Sequence, residues 1–219
     1  MKFIAKILSL AFAASSLPAE DIVTLPKPDE EGWITLFNGK DLTGWNGDPK
    51  VWRVKDGYIS GEIEKLKGGN TFLIFKKPFS NYVLELDCLL VGRKGNSGIQ
   101  YRSKHSERGA NKWVVKGYQA DFANGCWGKL YEEGGRGALV WKYKDKAPEI
   151  KAGDQWNNYR ITASGTKLKQ ELNGTVTIEL DDKDPAKSAK EGLVALQYHS
   201  PGGFEVRFRN IRIKLLGDN

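Results

Sequence analysis

Three short segments of the sequence place long hydrogen-bonding side chains at alternating positions. Alternate residues of a β-strand point to opposite faces of a sheet, so each polar pair would share one face while apolar neighbours occupy the other. Amide, guanidinium, carboxylate and imidazole groups bind hydroxyl groups with defined geometry. The pattern indicates a shared binding face, although a solvated face of an antiparallel sheet also alternates. The pairs are Gln100 with Arg102, Gln119 with Asp121, and Gln197 with His199.

Some of these groups could also transfer protons or stabilise developing charge. An unperturbed imidazole titrates close to neutral pH, which makes His199 a candidate general base or acid. Arg102 keeps its positive charge and could hold an oxyanion, or could instead form an ion pair with Asp121. Further candidate acid/base carboxylates are Glu132 and Glu62. The sequence alone does not select the catalytic pair among them.

Aromatic residues add to a pattern typical of carbohydrate binding. Flat aromatic rings pack against the apolar faces of sugar rings, and nearby polar groups bind the hydroxyls. Glycines flank the segment of Trp127 and Tyr131, which makes these two the better candidates, although tryptophan in a β-sandwich is also ordinary core. Lys129, Lys142 and Arg136 are candidate rim contacts, although such a residue is more often a solvated charge. The tryptophans spread over loops and strand ends are Trp45, Trp52, Trp113, Trp127, Trp141 and Trp156.

We predict neither a metal ion nor another cofactor. The chain has two histidines, His105 and His199, and contains no short zinc-ligand motif. The acidic run at 181–185 is better explained as a turn into a short helix than as a calcium site. Cys88 and Cys126 could form a disulfide in an exported protein, but Cys88 lies on the apolar side of a predicted strand, so a buried free thiol is equally consistent.

The sequence predicts many short β-strands as the elements that position these residues. Gly, Asn, Asp and Pro signals recur between runs rich in β-branched and aromatic residues. The clearest hairpin joins 168–172 to 175–180 through Asn173-Gly174, which supplies the positive φ angles of a two-residue turn. No long stretch has a helical period. We therefore predict one all-β domain over 32–219, a jelly-roll β-sandwich of two antiparallel sheets.

The N-terminal residues predict export. Lys2 and Lys6, a short apolar stretch and a small-residue exit form a secretory signal over 1–19 that is too short to span a bilayer. Residues 20–31 are rich in Pro and acidic residues and are predicted to be a tether. We expect a periplasmic or secreted protein, without membrane insertion after cleavage. The net charge of +7 comes from scattered basic residues, which argues against a nucleic-acid partner.

An ordered series of motifs resembles the 3-keto-disaccharide hydrolase family. The resemblance covers about residues 32–216, and its specificity comes from the order of the set. The motifs are WITLFNGKDLTGW at 33–45, WRVKDG at 52–57, GNSGI at 95–99 followed by Arg102, GYQAD at 117–121, GKLYE at 128–132, QWNNY at 155–159, LNG at 172–174, LQYH at 196–199 and FRNI at 208–211.

The resemblance implies a concanavalin A-like fold and an unusual cleavage reaction. The substrate is a glycoside or oligosaccharide whose sugar has been oxidised to a ketone at carbon 3, so an upstream sugar 3-dehydrogenase is the expected partner. The ketone acidifies the proton on carbon 2, a base removes it, the glycosidic oxygen leaves by β-elimination, and water adds to the product. In this scheme Gln100, Gln119 and Gln197 would bind hydroxyl groups.

Two other classes of function stay open on the sequence. A non-catalytic carbohydrate-binding module could use the same polar and aromatic residues, because a fold does not determine a function. A conventional glycoside hydrolase would need paired carboxylates flanking an unoxidised bond. The sequence lacks a Glu-x-Asp-x-x-Glu strand, and Gln119 stands where such a pattern would place an acid.

Overall fold

A computed structural model of the chain describes residues 23–108, 110–123, 125–151 and 153–217. The predicted export signal at 1–19 and the first residues of the predicted tether lie outside the described residues. In the described part of the tether, Val23 and Leu25 pack against the core. No helix in these ranges is long and apolar enough to cross a membrane.

Two antiparallel sheets account for the strands of the described chain. The eight-stranded sheet runs in the order β13-β12-β11-β6-β15-β4-β3, with β1 beside β15, and the seven-stranded sheet runs β10-β9-β8-β7-β14-β5-β2. The predicted jelly-roll sandwich is therefore confirmed. The first sheet contains β1 Trp33–Thr35, β3 Trp52–Lys55, β4 Tyr58–Ile63, β6 Tyr82–Leu90, β11 Asn157–Ser164, β12 Lys167–Leu172, β13 Thr175–Asp181 and β15 Phe204–Leu215. The second contains β2 Trp45–Asn46, β5 Thr71–Phe75, β7 Asn96–Arg108, β8 Asn111–Ala123, β9 Lys129–Glu133, β10 Gly137–Val140 and β14 Leu193–Tyr198.

Turns form where the sequence predicts them. The hairpin between β12 and β13 has Asn173 at φ 50° and Gly174 at φ 77°, the left-handed pair that a tight turn of this kind requires. In the acidic run, Asp184 Oδ1 accepts hydrogen bonds from the amides of Ala186 and Lys187 at 3.0 and 3.1 Å, which caps a short turn.

Aromatic side chains join the two sheets. Phe122 of β8 lies 5.9 Å from Tyr159 of β11 and 6.0 Å from Phe208 of β15, measured between ring centroids. All three rings are buried, and each contributes roughly 2–3 kcal/mol of hydrophobic stabilisation. Cys88 lies in this core, and both it and Cys126 are free thiols.

The long β7–β8 hairpin crosses the outer face of its own sheet. The register between the strands shifts between Tyr101 and Lys104, and beyond that shift the hairpin contacts β5. The residues that pack there form a second apolar cluster: Phe72, Ile74, Val114, Val115 and Ala195. The hairpin therefore covers one side of the outer face and leaves a polar region beside it.

Arg102 lies at the register shift and links three segments of backbone. It has a φ of 47°, and only 1% of the residue is exposed. Its guanidinium donates to the carbonyl oxygen of Ser80 from Nε and Nη2 at 3.0 and 2.8 Å, and to that of Ala189 at 3.1 Å. It also donates to the carbonyl oxygen of Gly165 and to Asn81 Oδ1. This corrects the prediction that Arg102 holds an oxyanion or pairs with Asp121, because its donors are committed to backbone.

We expect Arg102→Ala to lower the free energy of unfolding by about 3 kcal/mol or more, because it leaves several buried carbonyl oxygens without a donor. Arg102→Lys should lose most of the same stability, since one ammonium group cannot replace a planar fork of donors. Urea denaturation measures both changes.

The matched control is Arg53→Ala, which breaks an exposed ion pair with Glu62. We expect that change to cost less than about 1 kcal/mol. Equal and small effects for the Arg102 and Arg53 variants would contradict the structural role of Arg102.

Candidate active site

The outer face of the seven-stranded sheet gathers four of the predicted polar residues. Gln100, Gln119, Asp121 and Gln197 are 0%, 2%, 7% and 1% exposed. Their sequence neighbours Ile99, Ala120 and Leu196 point the other way, into the core between the sheets. The alternation that predicts a shared face is therefore a property of the folded strands.

A directed chain of hydrogen bonds connects these side chains. Gln100 and Gln119 are Cα partners in the β7–β8 ladder, which places their amides side by side. Ser103 Oγ donates to Gln100 Oε1 at 2.7 Å, Gln100 Nε2 donates to Gln119 Oε1 at 2.6 Å, and Gln119 Nε2 donates to Asp121 Oδ1 at 3.0 Å. Every donor in the chain points toward Asp121, so the network stabilises the ionised carboxylate.

The environment of Asp121 favours a carboxyl group that exchanges its proton near neutral pH. Desolvation by burial, with a smaller contribution from the charge of Glu133, raises the pKa of Asp121 to about 6. Hydrogen bonds from Gln119 and from the Cys126 thiol, whose Sγ lies 3.7 Å from Oδ2, oppose that shift. At pH 7 the group is mostly ionised, and it remains basic enough to take up a proton.

A contact between distant strands shows that the sheet curves around these residues, and the concave face that carries Gln100, Gln119, Asp121 and Gln197 is called the hollow below. Gln197 Nε2 on β14 donates to Glu133 Oε2 on β9 at 3.4 Å. Strands β7 and β8 lie between them, so a flat sheet would separate their backbones by roughly 14 Å. The sheet therefore curves toward its outer side. Gln197 Oε1 is buried and makes no hydrogen bond, which leaves an acceptor for a ligand hydroxyl group.

Strand β9 contributes three alternate residues to this face. Lys129 is the ladder partner of Asp121, and Tyr131 is the partner of Gln119. The ammonium of Lys129 is turned away from the carboxylate and lies 3.9 Å from the ring centroid of Tyr143. Glu133 follows in the same alternation and was not predicted. Its two-residue spacing from Tyr131 and Lys129 could have indicated that it shares their face. Lys142 is exposed in the loop after β10.

Glu132 lies on the opposite face of β9, as the same alternation requires. It is the ladder partner of the core residue Tyr118 and accepts a hydrogen bond from Arg136 Nε at 2.7 Å. Arg136 also binds Asp182 at 2.6 Å, and these two carboxylates raise its pKa. The prediction of Glu132 as an acid/base partner of Asp121 is corrected, and so is that of Arg136 as a free rim contact.

Two other predicted residues lie away from the hollow. Glu62 is on β4 in the other sheet, where it forms an exposed ion pair with Arg53. Trp127 is only 7% exposed and packs on Phe122 in the core, with ring centroids 5.0 Å apart. Glu62 lies away from the hollow because its strand belongs to the other sheet, and Trp127 because it packs in the core. Both features depend on distant parts of the chain.

His199 follows β14 directly and is half-buried. Its Nδ1 contacts the carbonyl oxygen of the next residue, Ser200. Strands β14 and β8 are separated by β7, which puts the backbones of His199 and Asp121 at least two strand spacings apart, about 10 Å. Among the described residues, no hydrogen bond or ion pair joins His199 to Asp121; His199 contacts Ser200, and Asp121 contacts Gln119 and Cys126.

In the ranges given above, no group of three or more His, Cys, Asp and Glu side chains converges as a metal site would require. The chemistry available in the hollow is that of one buried carboxylate, one half-buried carboxylate and several amides.

Known proteins resemble this chain in sequence and in fold. Residues 32–214 match the 3-keto-alpha-glucoside-1,2-lyase-like domain. A 3-keto-disaccharide hydrolase of Bacteroides thetaiotaomicron is 28% identical over 251 residues, which cover 93% of this chain and 85% of that protein.

Two solved structures show the same fold. A candidate glycosyl hydrolase from Parabacteroides distasonis superposes with a TM-score of 0.63 at 22% identity, covering 85% of this chain and 95% of that one. The carbohydrate binding module CBM66 from Bacillus subtilis superposes with a TM-score of 0.57 at 19% identity, covering 78% and 95%. The match over residues 32–214 shows that the chain belongs to the 3-keto-alpha-glucoside-1,2-lyase-like family.

Proposed function

We propose that this protein cleaves the glycosidic bond of 3-keto-glycosides in the hollow of the seven-stranded sheet. The family and the name of the Bacteroides relative support a carbohydrate-active enzyme of this kind. The observation that carries the proposal is the buried carboxylate of Asp121, whose pKa is raised to about 6 and which ends a chain of amide donors. A base with these properties suits removal of a proton next to a ketone.

In the first step the Asp121 carboxylate takes the proton from carbon 2, and the electrons of that bond move toward the ketone oxygen at carbon 3. The resulting enolate needs a hydrogen-bond donor that is already in place. Gln197 Nε2 is suited to this role because its present bond to Glu133, at 3.4 Å, is long and easily exchanged. The free Gln197 Oε1 can at the same time accept a bond from a sugar hydroxyl group.

In the second step the enolate electrons form the double bond between carbons 1 and 2, and the glycosidic oxygen leaves with its bonding pair. A proton donor on the leaving oxygen lowers this barrier. We assign that role to Glu133, which is half-buried on the same face, and keep His199 as the second candidate. Water then adds across the double bond, with its hydroxyl at carbon 1 and a proton at carbon 2, and the products are two free sugars.

Binding of a sugar requires the hollow to open. Gln197 and Glu133 now meet across it, and the amide groups beneath are almost fully buried. Separation of the long hydrogen bond between Gln197 and Glu133 would cost about 1 kcal/mol, which contacts with a ligand can offset. We further propose that the reaction takes place in the periplasm or outside the cell, where a sugar 3-dehydrogenase supplies the keto substrate.

The mature protein should be offered 3-keto-trehalose and trehalose side by side in heavy water, with products followed by NMR. We expect cleavage of the keto sugar alone, with deuterium at carbon 2 of the product. Equal cleavage of both sugars would instead support a conventional glycoside hydrolase. Cleavage of neither would support a non-catalytic binding module.

The variant Asp121→Asn should reduce kcat/KM on the keto sugar by about 10²- to 10⁴-fold, since the amide cannot take up the proton. In the unmodified protein kcat/KM should fall as the pH drops below about 6, because protonation removes the basic form of Asp121. The measurement is a pH–rate profile from pH 4.5 to 8. Glu62→Gln on the other sheet is the matched control and should leave the profile unchanged; a profile flat through pH 6 would argue against Asp121 as the base.

Gly98→Ala should move the acid limb of the profile to higher pH. A Cβ atom at Gly98 would lie 2.3 Å from Cδ of Gln119, so the amide must move and its hydrogen bond to Asp121 is weakened. That bond lowers the pKa of Asp121, and its loss leaves desolvation less opposed. The control is Gly217→Ala, where an added Cβ meets nothing within 4 Å. An unchanged limb in the Gly98 variant would show that Gln119 does not tune Asp121.

A further inference from the structure

Trp141 is a large apolar side chain that the fold leaves in solvent. It is 46% exposed, whereas Trp33, Trp45, Trp52 and Trp127 are all below 8%. Exposure by itself does not identify a binding site, because single apolar residues on a surface are common. The position of Trp141 relative to Asp121 is what distinguishes it.

The strand register places Trp141 in line with the base of the proposed reaction. Val140 is the ladder partner of Leu130, so the next residue, Trp141, comes beside Lys129. Lys129 is in turn the ladder partner of Asp121, and its Nζ donates to the carbonyl oxygen of Trp141. These three residues therefore form a row across the outer face of the sheet, with β10 at its edge.

The row continues beyond Asp121 and ends on an unsatisfied acceptor. Asp121 is the ladder partner of Gly98, and Gln197 lies on the next strand, β14. Gln197 Oε1 is buried without a hydrogen-bond partner. In order along the row lie the indole of Trp141, the Lys129 side chain, the Asp121 carboxylate and the unpaired carbonyl group of Gln197. The backbones of Trp141 and Asp121 are two strand spacings apart, about 10 Å across the sheet.

The indole is suited to a sugar ring and is held in place by its neighbour. The ammonium of Lys129 lies 5.9 Å from the ring centroid of Trp141 and 3.9 Å from that of Tyr143, so two aromatic residues share one cation. The apolar face of a pyranose packs on such a ring, while its outward hydroxyl groups stay in water.

We propose that Trp141 binds the leaving-group sugar of the substrate. This inference rests on the proposed function, which determines how the substrate is oriented along the row. Carbon 2 of the oxidised ring must lie at Asp121 for proton removal, and the second ring then extends toward the edge strand and Trp141.

The test compares 3-keto-trehalose with methyl 3-keto-α-glucoside, which lacks the second ring. For Trp141→Ala we expect KM for the keto-disaccharide to rise about tenfold, with kcat changed by less than about twofold and both constants for the methyl glycoside unchanged. Trp141→Phe should retain most of the affinity. The matched control is Leu215→Ala, which removes a second strongly exposed apolar side chain of the described residues, 50% exposed at the end of β15. Equal effects of Trp141→Ala on the two substrates, or none on the disaccharide, would overturn the proposal.

A binding measurement separates this inference from the proposed reaction. Calorimetric titration with unoxidised trehalose should show binding that Trp141→Ala weakens about tenfold and Leu215→Ala leaves intact. If the protein cleaves neither keto substrate but this difference in binding is found, the proposed function fails and the sugar site at Trp141 stands. Absence of trehalose binding by the unmodified protein, or equal binding by the Trp141 variant, would overturn the site.

Discussion

Burial of the Asp121 carboxylate on the concave outer face of a curved sheet is the constraint on which the rest of the site depends. Asp121 loses most of its water, and that loss would force it to stay protonated if nothing replaced the lost hydrogen bonds. The ladder places Gln100 beside Gln119, and the absence of a side chain at Gly98 lets the Gln119 amide reach Asp121. Desolvation and donated hydrogen bonds thus oppose each other and set the pKa of Asp121 to about 6.

The fold keeps its structural charges apart from this group. Arg136 joins Glu132 and Asp182 on the core side of the sheet, and Arg102 is consumed by backbone carbonyl groups. Neither cation contacts Asp121, and its ladder partner Lys129 donates to the carbonyl oxygen of Trp141, so Asp121 is not drawn into an ion pair that would hold its pKa low. The separation follows from alternation in β9, where Glu132 and Glu133 are adjacent in sequence but point to opposite faces of the sheet.

The parts of the structure that depend on local sequence could be predicted, and those that depend on distant pairing could not. Two-residue periodicity correctly placed Gln119, Asp121 and Gln197 on one face, and Asn-Gly marked a hairpin. The prediction for Arg102 was wrong because the residue lies at a register shift and has a positive φ, and a two-residue alternation does not reveal either feature. The prediction for Glu62 was wrong because the partners of its strand, which lie far along the chain, place that strand in the other sheet.

The most direct test of this account is a carbon-13 NMR titration of the side-chain carboxyl of Asp121 in the free protein. It requires no substrate and reports on the balance between burial and hydrogen bonding alone. We predict a titration midpoint close to pH 6. A midpoint near 4, the ordinary value for an aspartate in water, would show that the carboxylate is solvated, and the proposed base would lose its physical foundation.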